Sequence, residues 1–228
     1  MSLAPRIRVV STLSVVVVVA LVAVATSWNT GEMSPAACRA AKKARAVMRN
    51  VDGEKIGVVE FWNDAACVTR VVAKIGSFNL QGDETGLTEG FHGFHIHSTG
   101  ECDRAAVDGE GQTSPFLSAG GHWNPDERNH GNHRGDLPPL LATTSGLARA
   151  NVLTDRFTIN RLFDDDGSAV IIHADPDNLA HVPATDGDGN ERYHSHVDDA
   201  TGPDAATRAT GDGGSRFACG IVVKIQRS

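Results

Sequence analysis

The sequence predicts an all-β domain built as an antiparallel sandwich or barrel. Eight short segments rich in valine, isoleucine and other strand-forming residues follow the first forty or so positions, and several short strands in succession are typical of such folds. The pair Asp52-Gly53 between the first two segments is a hairpin turn signal. No long segment shows the apolar periodicity of an amphipathic helix, so antiparallel strands are favoured.

The predicted strands follow one another along the chain. Residues 44–50 and 56–62 flank the Asp52-Gly53 turn and form a predicted hairpin, and residues 67–75 form the third strand. The later predicted strands are residues 93–97, 137–143, 146–155, 168–173 and 217–225. Two long connections, residues 98–136 and 174–215, separate some of these strands, and connections of such length usually have a function.

Residues 1–25 are predicted to be an export signal or an N-terminal membrane anchor. Arg6 and Arg8 precede an apolar run that ends in Ala-Val-Ala25, and this order of basic, apolar and small residues is typical of a cleaved signal. Residues 9–31 carry no charge, so an uncleaved segment would be long enough to span a bilayer. After this segment, residues 26–43 form a linker or arm and residues 44–228 form the domain.

Charge and cysteine content restrict the partners and the compartment. The 228 residues carry a formal net charge of −7, which argues against nucleic acid as a partner. The four cysteines favour disulfides in an exported chain over metal thiolates. We therefore expect a periplasmic, cell-surface or extracellular protein that contacts a membrane only through an uncleaved N-terminal segment.

Seven residues with metal-binding side chains occur in a characteristic spacing: His95, His97, His122, His130, His133, Asp136 and His173. Alternate residues of a strand point to one face, so His95 and His97 can reach the same ion. Four imidazoles suit copper, and three imidazoles with one carboxylate form a set that zinc accepts. These two sets need eight ligand places, which seven residues fill if one imidazole uses both ring nitrogens. His122 is the candidate, because it lies between the pair and the cluster.

The segments that contain these residues resemble the copper, zinc superoxide dismutases, in the bacterial secreted form. The matching segments are His92-Gly-Phe-His95-Ile-His97, Ser118-Ala-Gly-Gly-His122-Trp-Asn-Pro125, His130-Gly, His133-Arg-Gly-Asp136-Leu, Ile171-Ile-His173 and Gly214-Ser-Arg216-Phe-Ala-Cys219-Gly220. They occur in the family's order across most of the chain after residue 43. The resemblance implies a flattened eight-stranded antiparallel Greek-key barrel with two long functional loops.

The resemblance also implies a role for each matching residue. The copper ligands would be His95, His97, His122 and His173, and the zinc ligands His122, His130, His133 and Asp136. Arg216 matches the arginine that attracts and orients the substrate, Asp177 matches the aspartate that connects His95 with His130, and Cys102 and Cys219 match the family's disulfide. Cys38 and Cys67 lie outside the family pattern and form a second candidate pair.

Some histidines leave alternatives open. His130 and His133 are only three residues apart, a shorter spacing than is common in the family, so the sequence alone does not show that both reach one zinc ion. His92 is expected to be structural and bonded to the backbone. His181, His194 and His196 match no family ligand and are expected in a solvated loop.

The resemblance implies a superoxide dismutase that converts superoxide to oxygen and hydrogen peroxide. Copper would cycle between Cu(II) and Cu(I), zinc would be structural, and His122 and Arg216 would act at the catalytic centre. The alternative is a non-catalytic copper-binding domain of the same fold, for storage or as a chaperone. Storage needs neither Arg216 nor a complete zinc set, so these features favour the enzyme. The sequence leaves a homodimer open.

Overall fold

The computed structural model describes residues 43–63, 66–76 and 86–225, which form the predicted antiparallel barrel. The described part of the chain opens with a meander of β1 (Lys43–Asn50), β2 (Lys55–Asn63) and β3 (Thr69–Ile75). The later strands are β4 (Gly90–His92), β5 (Phe94–His97), β6 (Leu140–Ala142), β7 (Ala148–Thr154), β8 (Ala169–His173), β9 (His194–Ser195), β10 (Ala200–Thr201) and β11 (Arg216–Lys224).

Nine strands form one sheet in the order β4, β6, β7, β3, β2, β1, β11, β8, β5. The two ends of this order, β4 and β5, are consecutive in the chain and separated only by Gly93, so the sheet curls until its ends meet. Counted as one strand interrupted at Gly93, they give the eight barrel strands that the sequence predicts. The neighbours β3 and β7 are distant in sequence, as Greek-key connections require.

Alternating burial along the strands builds the barrel interior. In β1 every second residue is buried, and β3 shows the same alternation. Phe61, Phe94 and Ile96 are fully buried in the main core, where each such side chain contributes about 1.5–3 kcal/mol. Because Phe94 and Ile96 face the core, His95 and His97 project from the other side of β5. They are buried as well, so the outside of β5 is covered by loops.

The first long loop, residues 98–136, is fastened to the barrel by the disulfide between Cys102 and Cys219, which confirms the predicted pair. Phe116 and Ala119 of this loop pack with Ile171 and Cys219 in a second small apolar cluster. A short 3-10 helix (Leu117–Ala119) lies in the same segment. The loop is thereby held against the outer face of β8 and β11.

The second long loop, residues 174–215, contains structure that the sequence analysis does not predict. β9 and β10 pair as a small antiparallel ribbon, and α1 (Ala205–Thr210) follows. α1 begins after Asp204, whose side chain accepts a hydrogen bond from the Thr207 amide at 2.7 Å, as N-cap residues do. It ends at Gly211, whose φ of 64° suits glycine.

Several predictions concern residues outside the described ranges. The export signal or anchor at residues 1–25, nearly all of the arm at residues 26–43, and Cys38 belong to this group, so they stay predictions. Across the ranges that the structure does describe, none of the helices is both long enough and apolar enough to cross a membrane.

Candidate metal centre

Four histidines meet where β5, the end of β8 and the first long loop come together. His95, His97, His122 and His173 each place a ring nitrogen within 4.8 Å of the other three. His95 and His97 lie on one face of β5, and His173 is the last residue of β8. His122 comes from the loop and is held beside His97 by a β-bridge. The structure thus brings together the four predicted copper ligands.

The hydrogen bonds of these four rings leave one nitrogen of each ring unpaired. His97 and His173 direct Nδ1 to the carbonyl oxygens of Gly120 at 2.9 Å and Gly214 at 3.1 Å. A neutral imidazole that donates from Nδ1 presents a bare lone pair at Nε2. The buried nitrogens without a hydrogen-bond partner are His95 Nδ1, His97 Nε2, His122 Nε2 and His173 Nε2. Four buried acceptors that converge without donors fit a copper ion.

A second group of donors surrounds the carboxylate of Asp136. Its Oδ1 lies 3.3 Å from His122 Nδ1, 3.4 Å from His130 Nδ1 and 3.2 Å from His133 Nδ1. This oxygen and His133 Nδ1 nevertheless form no hydrogen bond of acceptable geometry. Three imidazole nitrogens and one carboxylate oxygen that aim at a common point fit a tetrahedral zinc ion. The predicted zinc ligands are therefore also brought together.

His95 could in principle join the second group in place of His133. A ligand atom of His95 lies within 4.8 Å of those of His122, His130 and Asp136. Its Nε2, however, is hydrogen-bonded to Asp177 at 2.6 Å, while its free Nδ1 belongs to the four-histidine group. The geometry favours His133, whose Nδ1 is unpaired and faces Asp136.

His130 and His133 both reach Asp136 although they are only three residues apart. Gly131 follows His130 with a φ of 83°, a left-handed conformation that glycine adopts without strain. Arg156, in the segment after β7, donates to the carbonyl oxygens of His133 at 3.0 Å and Gly131 at 3.1 Å. A tight turn and one clamping guanidinium thus let both rings reach Asp136. Arg156 is not recognisable from the sequence, because every residue has a carbonyl oxygen and a contact with one requires no particular residue type.

Asp177 is hydrogen-bonded to one histidine of each group. Its Oδ2 accepts a hydrogen bond from His95 Nε2 at 2.6 Å, and its Oδ1 accepts one from His130 Nε2 at 2.8 Å. The Leu179 amide also donates to Oδ1 at 2.7 Å. Its side chain is fully buried. These contacts fix both ring orientations, as outer partners of metal ligands do, and match the role expected for Asp177.

Arg216 lies at the start of β11, opposite His173 in the strand register. Its guanidinium donates to the carbonyl oxygens of Phe116 and Gly120, the second at 2.6 Å. The Gly120 oxygen also accepts the hydrogen bond from His97. Arg216 is thereby oriented by the same loop that positions the four-histidine group. Burial lowers its pKa, but an arginine stays charged at neutral pH.

Burial keeps the four-histidine group neutral. It lowers the pKa of His122 to about 4 and that of His173 to about 3, and the pKa of His97 is also well below its usual value for the same reason. Neutral imidazole is the form that binds one metal ion, so His97 and His173 need lose no proton when an ion enters at neutral pH. His122 would release its remaining ring proton if both of its nitrogens bound metal.

The carboxylates have the opposite effect on His130. Burial alone would lower the pKa of His130, but the nearby Asp136 carboxylate, 3.4 Å away, and the hydrogen bond to Asp177 outweigh it and raise the pKa to about 9. Burial likewise opposes ionisation of Asp136 and Asp177, yet the surrounding histidines hold both carboxyl pKa values well below the usual range. His130 is thus protonated beside Asp136 at neutral pH, and a zinc ion would take the place of that proton.

The remaining histidines behave as the sequence analysis expects. His92 places Nδ1 2.9 Å from the His173 carbonyl oxygen and Nε2 2.8 Å from that of Thr88, so it is structural. His181, His194 and His196 are exposed in the second loop, and His194 contacts the carboxylates of Glu191 and Asp199.

The comparisons with known proteins point to one family. Residues 66–222 match the family model described as copper/zinc superoxide dismutase. The chain is 36% identical to the Cu-Zn superoxide dismutase of Mycolicibacterium paratuberculosis, over 85% of this chain and 82% of that protein. It is 38% identical to the Cu-Zn superoxide dismutase of Mycobacterium tuberculosis, over 75% of this chain and 66% of that protein.

A third relative matches a smaller share of the chain. The Cu-Zn superoxide dismutase of Photobacterium leiognathi is 36% identical to the chain, over 60% of this chain and 66% of that protein. The matched region contains both histidine groups and the disulfide-bonded loop. With its barrel, its two groups of metal-binding side chains and these similarities, the chain belongs to the copper/zinc superoxide dismutase family.

Proposed function

We propose that the chain converts two superoxide anions and two protons into oxygen and hydrogen peroxide. Copper is held by His95, His97, His122 and His173, and zinc by His122, His130, His133 and Asp136. The observation that carries this proposal is the placement of His122, whose Nε2 belongs to the four-histidine group and whose Nδ1 lies 3.3 Å from Asp136. One ring thereby serves both groups.

The metals and the side chains have different tasks. When bound, copper supplies one-electron chemistry between Cu(II) and Cu(I), and zinc supplies a fixed positive charge without redox chemistry. His122 Nε2 is the nitrogen at which the chain can hold a proton within the centre, while Nδ1 keeps the ring in place beside Asp136. Asp177 keeps the rings of His95 and His130 from rotating through its two hydrogen bonds.

Arg216 binds and orients the anionic substrate. Hydrogen bonds to two carbonyl oxygens fix its guanidinium, while the group has five N–H donors in all. Within the described residues the guanidinium forms only these two hydrogen bonds. Its other N–H donors can therefore face an incoming anion. A permanent cation beside the four-histidine group lowers the free energy of an anion bound there.

A copper-storage or chaperone role explains less of this centre. Storage requires neither a cation placed by two loop carbonyls nor a second group built around Asp136. Inhibition of superoxide-driven cytochrome c reduction by the chain loaded with both metals tests the difference. A dismutase inhibits catalytically, so each chain removes many superoxide anions. A storage protein with full copper would inhibit no better than the metal-free chain.

We also propose export of the chain, with residues 1–25 as signal or anchor. The Cys102–Cys219 disulfide supports this, because such bonds persist in oxidising compartments. Sequencing of the mature N-terminus after cell fractionation tests it: a start after Ala25 indicates cleavage, and an intact N-terminus in the membrane fraction indicates an anchor. Recovery of the intact chain from the cytosol would contradict export.

The pairing of Cys38 with Cys67 is a further part of this proposal. An even number of cysteines in an exported chain supports it. Thiol titration of the denatured, unreduced protein should find no free thiol. Two free thiols per chain would contradict the pair.

A further inference from the structure

One side of the barrel is basic although the chain as a whole is acidic. The strands β1, β2, β3 and β7 expose Arg45, Arg49, Lys55, Arg70, Lys74 and Arg149, which we call the basic face. The four strands contain a single acidic residue, Glu60, which forms an ion pair with Lys74 at 3.4 Å. This concentration of positive charge occurs in a chain of formal net charge −7.

Like charges lie directly opposite one another on this face. Arg49 pairs with Lys55 between β1 and β2, and Lys74 pairs with Arg149 between β3 and β7. Directly opposed like charges destabilise a sheet. A partner that carries closely spaced negative charges would turn this repulsion into attraction.

The centre of the basic face is concave. Arg45, Lys55 and Lys74 line a shallow groove of about 420 Å³, together with Glu60 and the backbone around Gly57. Three cationic side chains and one carboxylate line the groove, so its net charge is positive and favours a small anionic group. The remaining basic residues lie outside the groove, Arg49 on β1, Arg70 on β3 and Arg149 on β7.

The basic face lies on the side of the barrel away from the metal centre. β2 and β3 are in the middle of the strand order, whereas β8 and β5, which carry His173, His95 and His97, are at one end of it. In a closed barrel these positions are on opposite sides. The acidic second loop, with nine acidic and two basic residues between positions 174 and 215, belongs to the metal-centre side. The molecule is therefore electrically polarised.

The chain that precedes β1 continues this basic character in its sequence. Residues 33–42, directly before β1, contain Arg39 and Lys42 and no acidic residue. The uncharged segment at residues 9–31 lies before them and is separated from them by Glu32. Lys43, the first residue of β1, therefore joins the basic face to a basic arm that leads to the apolar segment. Basic clusters beside an apolar segment are typical of attraction to anionic lipid headgroups.

We propose that the basic face binds the anionic phospholipid headgroups of a bilayer, with the metal centre turned away from the membrane. The polarised charge orients the barrel, because the acidic second loop is repelled by the surface that attracts β1, β2 and β3. Each basic residue at such a surface strengthens binding about fivefold. Exposed charges are screened within about 10 Å at 0.1 M salt, so the interaction weakens as ionic strength rises.

Vesicle binding of the full chain tests this proposal. The chain is mixed with vesicles of phosphatidylcholine alone or of equal parts phosphatidylcholine and phosphatidylglycerol, and the ratio of the two affinities removes the contribution of the apolar segment. The variant Arg45→Gln, Lys55→Gln, Lys74→Gln should lower this ratio about a hundredfold. Salt should lower the ratio for the unaltered chain.

The matched control is Arg128→Gln, Arg161→Gln, Arg192→Gln, which removes the same charge from exposed arginines outside the basic face. It should keep the ratio within about twofold, whereas an equal loss in both variants would overturn the basic face as the binding site. A ratio near one for the unaltered chain, or binding to soluble polyphosphate without preference for the anionic vesicles, would overturn the assignment to lipid. Because Arg45, Lys55 and Lys74 lie on the side of the barrel away from the metal centre, the basic-face variant should keep the activity of the unaltered chain in solution.

Discussion

Single side chains divide the work at the metal centre. His122 offers one ring nitrogen to each group of donors, Asp177 fixes the rings behind them, and Arg216 adds a cation whose direction is set by the carbonyls of Phe116 and Gly120. Within the described residues, the Arg216 side chain forms hydrogen bonds to these two carbonyl oxygens and to no proposed metal ligand, and the Gly120 oxygen is also bonded to His97. The effect of Arg216 on the reaction can therefore be separated from metal binding.

Replacement of Arg216 by alanine should lower the rate constant for superoxide about 10- to 1,000-fold, because the guiding cation is lost. Copper and zinc content should stay unchanged, and Arg216→Lys should recover part of the rate through its charge. The rate is measured by pulse radiolysis and the metals by elemental analysis of the same samples. Full turnover in Arg216→Ala would contradict this role.

The sequence predicts those strands whose residues form a recognisable local pattern. Segments rich in valine and isoleucine locate β1, β2 and β3 to within two residues at each end, and the His-x-His spacing identifies one face of β5. The two-residue strands β9 and β10 and the six-residue helix α1 are too short for such a pattern. The clamp of Arg156 on the His130–His133 turn depends on a tertiary contact with backbone oxygens, which no spacing reveals.

The hydrogen bonds of Arg156 to the His130–His133 turn should matter for zinc binding. Arg156→Ala should lower zinc affinity about 10- to 100-fold, as loss of outer support for ligands does, with little change in copper affinity. Chelator competition measures the affinities, and the absorption spectrum of cobalt at the zinc position reports the ligand geometry. The control is Arg161→Ala, which changes an exposed arginine in a short 3-10 helix (Ile159–Leu162) close to Arg156 in the chain. Equal zinc affinity in the two variants would contradict the clamp.

The disulfide that holds the first loop should make a large contribution to stability. It joins residues 117 positions apart, and the chain-entropy model gives about 4–5 kcal/mol for a loop of this length. Cys102→Ser with Cys219→Ser should lower the free energy of unfolding in urea by about that amount. A loss below about 1 kcal/mol would show that the loop is held by other contacts, such as the packing of Phe116 against Ile171.

Charge distribution is the property of the whole molecule that bears on substrate approach. Nine acidic residues in the second loop oppose the attraction that Arg216 exerts on an anion, while the basic face lies on the other side of the barrel. The rate constant should therefore stay flat or rise as salt screens the exposed carboxylates. Rates measured at several ionic strengths decide this. A steep fall with salt would mean that net attraction survives at the entrance.

One imidazole, His122, is the ligand that the proposed copper and zinc sites share. The metal content of His122→Ala and His173→Ala after reconstitution with copper and zinc measures this sharing. The unaltered chain should hold one copper and one zinc, His173→Ala should lose copper affinity and retain zinc, and His122→Ala should be impaired for both. Retention of full zinc by His122→Ala, with loss of copper alone, would contradict the shared ligand.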